Sequence, residues 1–235
     1  MRILVTRPIE DAERTAAALR ARGHEAIVSP LTEIRFTDGP EISLEGVQAI
    51  LATSANGVRA LAQRTAHRDL PVFAVGPQTT LAARAAGFTD VRDADGNAAD
   101  LAETVSRWLD PRQGTLVHAA GREHRGELAT SLESAGFTVR TEVLYEAIPA
   151  AEFTPDAKTA LATANLDAVT LFSPRGATIF AGLVQQAGLS QACHTLTAIC
   201  ISPAAASALE PLKFAQIRVA NRPNQDSMLA LLDGS

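Results

Sequence analysis

Two kinds of segment occur twice in this chain, in the same order each time. The first runs from Arg2 to Ile34, RILVTRPIEDAERTAAALRARGHEAIVSPLTEI, and returns from Gly114 to Ile148 as GTLVHAAGREHRGELATSLESAGFTVRTEVLYEAI. Each copy is an apolar run, a polar turn, an amphipathic helix, a glycine and a second run. Ala12, Thr15, Ala16 and Leu19 are matched at helical spacing by Leu128, Ala129, Leu132 and Ala135. Gly23 and Gly136 are the expected helix stops. The second kind of segment is a train of strand–turn–helix pairs. VQAILATSANGVRALAQ, PVFAVGPQTTLAARAAGF and DVRDADGNAADLAETVSRWL are answered by LDAVTLFSPRGATIFAGLV, LTAICISPAAASALEPLKF and QIRVANRPNQDSMLALL. Strands alternating with helices of this length predict an α/β fold with parallel sheets.

The repeats suggest two similar domains, and the connections decide how the chain divides. LDPRQG, before the returning first segment, is a loop of ordinary length. RFTDGPEIS and AIPAAEFTPDA are longer, extended and proline-bearing, and read as domain crossings. Residues 36–148 are therefore expected to form a continuous domain, and residues 1–35 with 149–235 a discontinuous one. Two linkers running side by side would leave a cleft between them.

Composition narrows the function classes. Hydrophobic residues make up 46% of the 235 positions, which predicts packed cores rather than disorder. The net charge of −5 lacks the basic excess of a nucleic-acid binder. Cys193 and Cys200 are expected to be small buried residues, not a disulfide framework. MRILVTRP reads as a strand rather than a leader, and no apolar stretch approaches the roughly eighteen residues of a membrane span. A soluble, cytoplasmic protein is expected.

In open parallel sheets, ligands bind beyond the carboxyl ends of the strands. Those positions hold Thr6, Arg7, Thr53, Ser54, Gly76, Gln78 and Thr79 in the first part of the chain. Further along they hold Gly96, Asn97, Gly121, Arg122, Ser173, Arg175, Gly176, Ser202 and Asn224. Each alone is an ordinary N-cap or turn residue. Together they predict many helix N-termini facing one cleft, which suits anions. No phosphate-binding glycine fingerprint, nucleophile elbow or zinc spacing is present, so neither metal nor cofactor is expected. His118 and His124 lie near a strand end; they have a reading as site residues and a favoured one as solvated loop residues, and the acidic residues are placed mostly on exposed helix faces. Tyr145, the only tyrosine, has two readings. It is a half-buried strand aromatic with a wet hydroxyl, or a phenol at the cleft mouth able to donate a proton.

VTRP, TSANGV, VGPQT, GNAADLAE, LYEAI, FSPRGA and the closing RPNQDSMLALL together resemble the uroporphyrinogen-III synthase family, over nearly the whole chain. The resemblance implies two α/β domains, one discontinuous, joined by a two-stranded linker around a cleft. It implies a lyase of haem and tetrapyrrole biosynthesis that closes hydroxymethylbilane to uroporphyrinogen III, with loss of water, inversion of the last ring and no cofactor. It maps the family's tyrosine onto Tyr145 and a turn threonine onto Thr79. Its other turn departs here: ISPAAA places Ser202 and Ala205 where the family often has glycine and threonine. A monomer acting on this small molecule, with no nucleic-acid or membrane partner, is the expectation. A non-catalytic two-domain binding or sensory protein for an anionic small molecule is the alternative, separated from it by turnover.

Overall fold

The computed structural model describes residues 1–124 and 126–232; Arg125 and the closing positions 233–235 of the expected discontinuous domain lie outside the described residues. In chain order the elements begin with β1 (Arg2–Val5), α1 (Ile9–Ala21), β2 (Glu25–Val28) and β3 (Thr32–Phe36). There follow β4 (Val47–Ala52), α2 (Ala55–Arg64), β5 (Val72–Ala74), α3 (Pro77–Ala85), β6 (Val91–Asp93) and α4 (Ala98–Trp108). The returning segment gives β7 (Thr115–Gly121), α5 (Glu127–Ser134) and β8 (Val139–Pro149). The last part holds α6 (Pro155–Ala162), β9 (Ala168–Leu171), α7 (Pro174–Gln186), β10 (Thr197–Cys200), α8 (Pro203–Ser207), β11 (Gln216–Val219) and α9 (Gln225–Ala230).

The chain forms two compact units, Met1–Glu33 with Ile148–Ser235, and Ile34–Ala147. The discontinuous unit carries a sheet in the order β2-β1-β9-β10-β11, with every pairing parallel. The continuous unit carries β3-β8-β7-β4-β5-β6, and its pairings from β8 to β6 are parallel. The parallel α/β architecture expected from the sequence is present in both. With β3 set aside, the two sheets have the same spatial order, that of doubly wound flavodoxin-like folds. The continuous unit is a circular permutation of the other: its chain enters at β4, the counterpart of β9, and reaches β7, the counterpart of β1, later.

Registers make the correspondence residue by residue. Ile3 pairs with Ala168, and Leu116 with Ala49; Val5 pairs with Thr170, and His118 with Leu51. Val5 and His118 therefore occupy the same place in their sheets. One residue beyond the paired stretch of each central strand, Phe172 and Thr53 correspond.

Each sheet is covered on both faces, which is why its strands read as unbroken apolar runs. In the discontinuous unit, Phe180 and Val184 of α7 pack on Val169 and Leu171, while Leu19 and Met228 cover Ile3 and Ile199. In the continuous unit, Val58 and Leu61 of α2 cover Ile50 and Val117, and Leu101, Val105 and Leu132 cover Leu51 and Leu116. Small residues let the layers approach closely. A Cβ on Gly57 would overlap the carbonyl oxygen of Ala119, so α2 can rest on β7 only because that position is glycine. Gly23 and Gly136 follow the helix ends with φ of +79° and +90°, the left-handed conformation that stops a helix.

Two details differ from the sequence reading. Ala135 lies exposed at the C-cap of α5 instead of on its buried face, because the helix ends at Ser134. The proline-bearing stretches are packed into the units rather than forming loose linkers. Ile42 and Leu44 are buried in the continuous unit's core, and Arg64 donates to the carbonyls of Thr37 and Pro40. Phe153 is buried in the discontinuous unit, with the Thr154 N–H bonded to Ser29 Oγ at 3.0 Å. The chain passes from unit to unit inside β3 and β8.

Candidate functional site

The small polar residues at the strand ends are, one by one, helix caps. Oxygens of Ser54, Ser173, Ser202, Asn97 and Asn224 accept from the backbone N–H of Gly57, Gly176, Ala205, Ala99 and Ser227 at 2.8–3.3 Å. Gly76 opens α3 in extended conformation, with half-buried Gln78 and buried Thr79 in the first turn. Thr79 therefore does not present its hydroxyl to solvent. Arg175 and Gly176 stand in the first turn of α7, both half-buried.

Several sequence candidates meet in the continuous unit, where β4 and β7 end side by side at the reversal of strand order. Ser54 follows β4. Tyr145 lies on β8, paired with Gly121 at the end of β7. Its hydroxyl oxygen is 2.8 Å from Ser54 Oγ. A Cβ on Gly121 would lie 2.7 Å from Cζ of Tyr145, so the absent side chain lets the ring lie across the strand. The Arg122 N–H donates to the Tyr145 carbonyl at 2.8 Å, and its side chain pairs with Glu146 at 3.1 Å on the surface.

The other face of the same two strand ends holds His118, which the sequence reading placed in a solvated loop. It is instead inside β7 and only 3% exposed. The residues of β7 alternate, so His118 shares a face with Leu116 and turns toward α4 and α5. Its Nε2 lies 3.2 Å from Thr53 Oγ1, and its Nδ1 has no partner among the described residues. Burial, with a smaller contribution from nearby His124, pushes its pKa down to about 4, so the ring is neutral at neutral pH. Thr53, His118 and the first turns of α4 and α5 line an open pocket of about 550 Å³. No alternation in the sequence marks the face of His118, because β7 is buried on both sides.

The corresponding place in the discontinuous unit is closed. Arg7 lies 4.4 Å over the ring of Phe172 and donates to Asp11 at 3.0 Å and to Gln225 at 3.2 Å. Asp11 departs from the mostly exposed placing of the acidic residues: it is 6% exposed and also bonds Arg14 at 3.1 Å. The Gln225 carbonyl oxygen accepts from Thr15 Oγ1 at 2.8 Å. Thr6 is buried, with its hydroxyl donated to the Thr170 carbonyl at 2.6 Å. The charge of Arg7, a candidate for an anionic ligand, is thus matched by a carboxylate of the helix that follows it.

This pattern of twin parallel sheets, cap-rich strand ends and one tyrosine beside the continuous unit's switch point agrees with the comparison by family. The model of uroporphyrinogen-III synthase HemD, HEM4, matches residues 13–230. The chain belongs to the uroporphyrinogen-III synthase family. Solved structures similar to it include uroporphyrinogen-III synthetase from Helicobacter pylori, at 16% identity and TM-score 0.64, covering 99% of this chain and 98% of that one. A mutant uroporphyrinogen III synthase from the extremely thermophilic bacterium Thermus thermophilus is similar at 18% identity and TM-score 0.55, over 99% of this chain and 97% of that one. At such identities the likeness concerns the fold. No curated protein matches. The family is one of lyases of tetrapyrrole biosynthesis, and none of the described helices is long and apolar enough to cross a membrane.

Proposed function

We propose that the protein closes hydroxymethylbilane to uroporphyrinogen III, with loss of water and inversion of ring D. The observation that carries the reading is the family match across residues 13–230. The pairing of Tyr145 with Ser54 at 2.8 Å supplies its chemistry.

The reaction asks little acid–base work of a protein. The pyrrole nitrogen of ring A drives the hydroxyl from its methylene carbon, leaving a cationic azafulvene and, with one added proton, water. The substituted carbon of ring D then attacks that methylene, giving a spiro intermediate. It fragments at the ring C–ring D bridge and recloses at the other α-carbon of ring D, and the final carbon loses a proton. Holding such ends in place contributes up to ~7–11 kcal/mol in favourable cases.

In this reading Tyr145 supplies the proton to the departing hydroxyl. A phenol, with pKa near ~10, is protonated at neutral pH and needs no perturbing neighbour. Ser54 Oγ already accepts the Gly57 N–H at 3.0 Å, and so can give its own hydrogen to Tyr145. That polarity leaves the phenolic hydrogen for another acceptor, which we assign to the leaving oxygen. Thr6, Arg7, Thr53, Gly76, Gln78, Thr79, Asn97, Gly121, Arg122, Ser173, Arg175, Gly176, Ser202 and Asn224 are proposed to contribute to substrate binding, chiefly through the backbone at helix starts. The helix-start geometry supports this; the matched charge of Arg7 and the buried hydroxyls of Thr6 and Thr79 make those side chains its weakest members. We further propose a cytoplasmic monomer without a nucleic-acid partner.

The test separates turnover from binding. Freshly made hydroxymethylbilane should disappear at a rate proportional to added protein, under substrate excess. Disappearance at the uncatalysed rate, whatever the protein concentration, would mark a binding protein and contradict the proposal.

A further inference from the structure

The two sheets correspond strand for strand, yet their switch points are built oppositely. In the discontinuous unit the gap between the helices beside β1 is filled. Arg7 stacks on Phe172, pairs with Asp11 and bonds Gln225, the first residue of α9. In the continuous unit each counterpart is smaller or polar. Register puts His118 in the place of Val5 and Thr53 in that of Phe172. Two residues beyond His118, where Arg7 stands relative to Val5, is Ala120; Ala98 opens α4 where Gln225 opens α9. The helix after the strand also begins later, since α1 starts four residues past Val5 but α5 starts nine past His118. The volume filled in one unit is therefore the pocket of about 550 Å³ in the other.

The lining of this opening is mostly apolar, but its wall also includes a histidine 3% exposed whose Nδ1 has no partner among the described residues. A buried polar atom left unpaired loses its hydration without replacement, so such atoms call for a ligand or ordered water. Its walls are the first turns of α4, of eleven residues, and α5, of eight, and α5 begins without a side-chain cap. Helix starts direct N–H groups and positive dipole ends outward. When the Thr53 hydroxyl donates to Nε2, the ring proton sits on Nδ1 and becomes one more donor. Glu127, the carboxylate among the lining residues, is exposed, so water screens its charge.

We propose that this pocket receives a carboxylate group, bound by the N–H groups of the α5 start and by the Nδ1–H of His118. The inference rests on the proposed function when the carboxylate is an acetate or propionate arm of the bilane; a free small carboxylate is the other source of the same chemistry. His118 is then a binding residue that fixes one arm of the substrate.

Two measurements distinguish the sources. In the first, steady-state kinetics with hydroxymethylbilane are compared for the native protein, His118→Leu and His118→Gln. In the second, imidazole ¹⁵N resonances of the native protein are followed during titration with sodium propionate against sodium chloride. Loss of a hydrogen bond to a charged group should raise KM in His118→Leu about ten- to a hundredfold with kcat little changed, and His118→Gln, which keeps an N–H, should recover part of it. That result assigns the pocket to a substrate arm. A His118 signal that moves with propionate, beside unchanged KM, assigns it to a free carboxylate. A moving signal in a protein that does not turn the bilane over would sink the proposed function and leave the pocket standing. If His118→Leu fails to fold, Ala99→Trp on the rim of α4 blocks the opening and should give the same rise. Unchanged KM in the folded variants, with a ring signal indifferent to propionate, overturns the inference.

Discussion

The hydroxyl oxygen of Tyr145 lies 2.8 Å from Oγ of Ser54, which itself accepts the N–H of Gly57. One chain of hydrogen bonds thus joins a helix start, a capping serine and the protein's only tyrosine. Tyr145→Phe removes the phenolic proton and leaves the ring over Gly121. Turnover should fall about ten- to a hundredfold, at or below the usual range for one acid–base group, because the pyrrole nitrogen already expels the hydroxyl. The product should remain the type III isomer, and the melting temperature should barely move. Stopped assays with isomer analysis beside a thermal melt check this; unchanged turnover would return Tyr145 to a structural role.

Three glycines separate geometry from chemistry. Gly121→Ala places a methyl 2.7 Å from the Tyr145 ring and should displace it, lowering turnover roughly ten- to a hundredfold as misplaced groups do. Gly57→Ala drives a methyl into the Ala119 carbonyl, and should cost about 1–3 kcal/mol or more in stability by forcing α2 away from β7. Gly182, inside α7, has nothing within 4 Å of an added Cβ, so Gly182→Ala should stabilise by about 0.5–1 kcal/mol. Turnover of the first and denaturant melts of the other two check these outcomes, and a Gly57→Ala protein as stable as Gly182→Ala would contradict the packing description.

Asp11 and Arg7 are a buried pair, 9% and 10% exposed in their side chains. Removing one partner leaves the other charge in a poorly solvated place. Asp11→Ala should cost about 3–5 kcal/mol, whereas the double change Arg7→Met with Asp11→Leu should regain much of that loss. Urea unfolding of the single and double variants measures the difference. Equal losses would mean that the pair is better hydrated than its burial indicates.

Acid stability should carry the mark of His118. Its folded pKa is near 4, against 6.5 for an unperturbed histidine. As pH falls from 6.5 the unfolded chain takes up the proton first, so stability is lost progressively down to about pH 4. The loss from this group is up to ~3 kcal/mol. The titratable groups around it are His124, at 6.1 Å between ring centroids, and Glu127 on α5 at the same pocket. His118→Leu should therefore flatten the curve of stability against pH between 6.5 and 4. An unchanged slope would contradict the buried neutral ring.

What could be read in the sequence was local. Ser54, Ser173, Ser202, Asn97 and Asn224 stand between an apolar run and a helix pattern, and each caps the helix expected of it. Residues that depend on distant partners were hidden. Asp11 lies three residues from charged Arg14 in a polar first turn and looks solvated; only the return of Arg7 over Phe172 buries it. His118 sits in a strand covered on both faces, where the apolar run is continuous and the face of a single polar residue does not show. The proline stretches passed for linkers because proline and glycine outweighed Ile42, Leu44 and Phe153, which anchor them. The common strand order was equally hidden, since the permutation places the counterpart of β1 late in its unit.

The most direct test of the central claim is the isomer ratio of the product as a function of protein concentration, starting from fresh hydroxymethylbilane. Closure without a catalyst gives the type I isomer. The reading of the chain as a uroporphyrinogen-III synthase predicts that type III forms at an initial rate proportional to protein while type I falls toward zero. A product that stays type I at every protein concentration, formed at the uncatalysed rate, would contradict it.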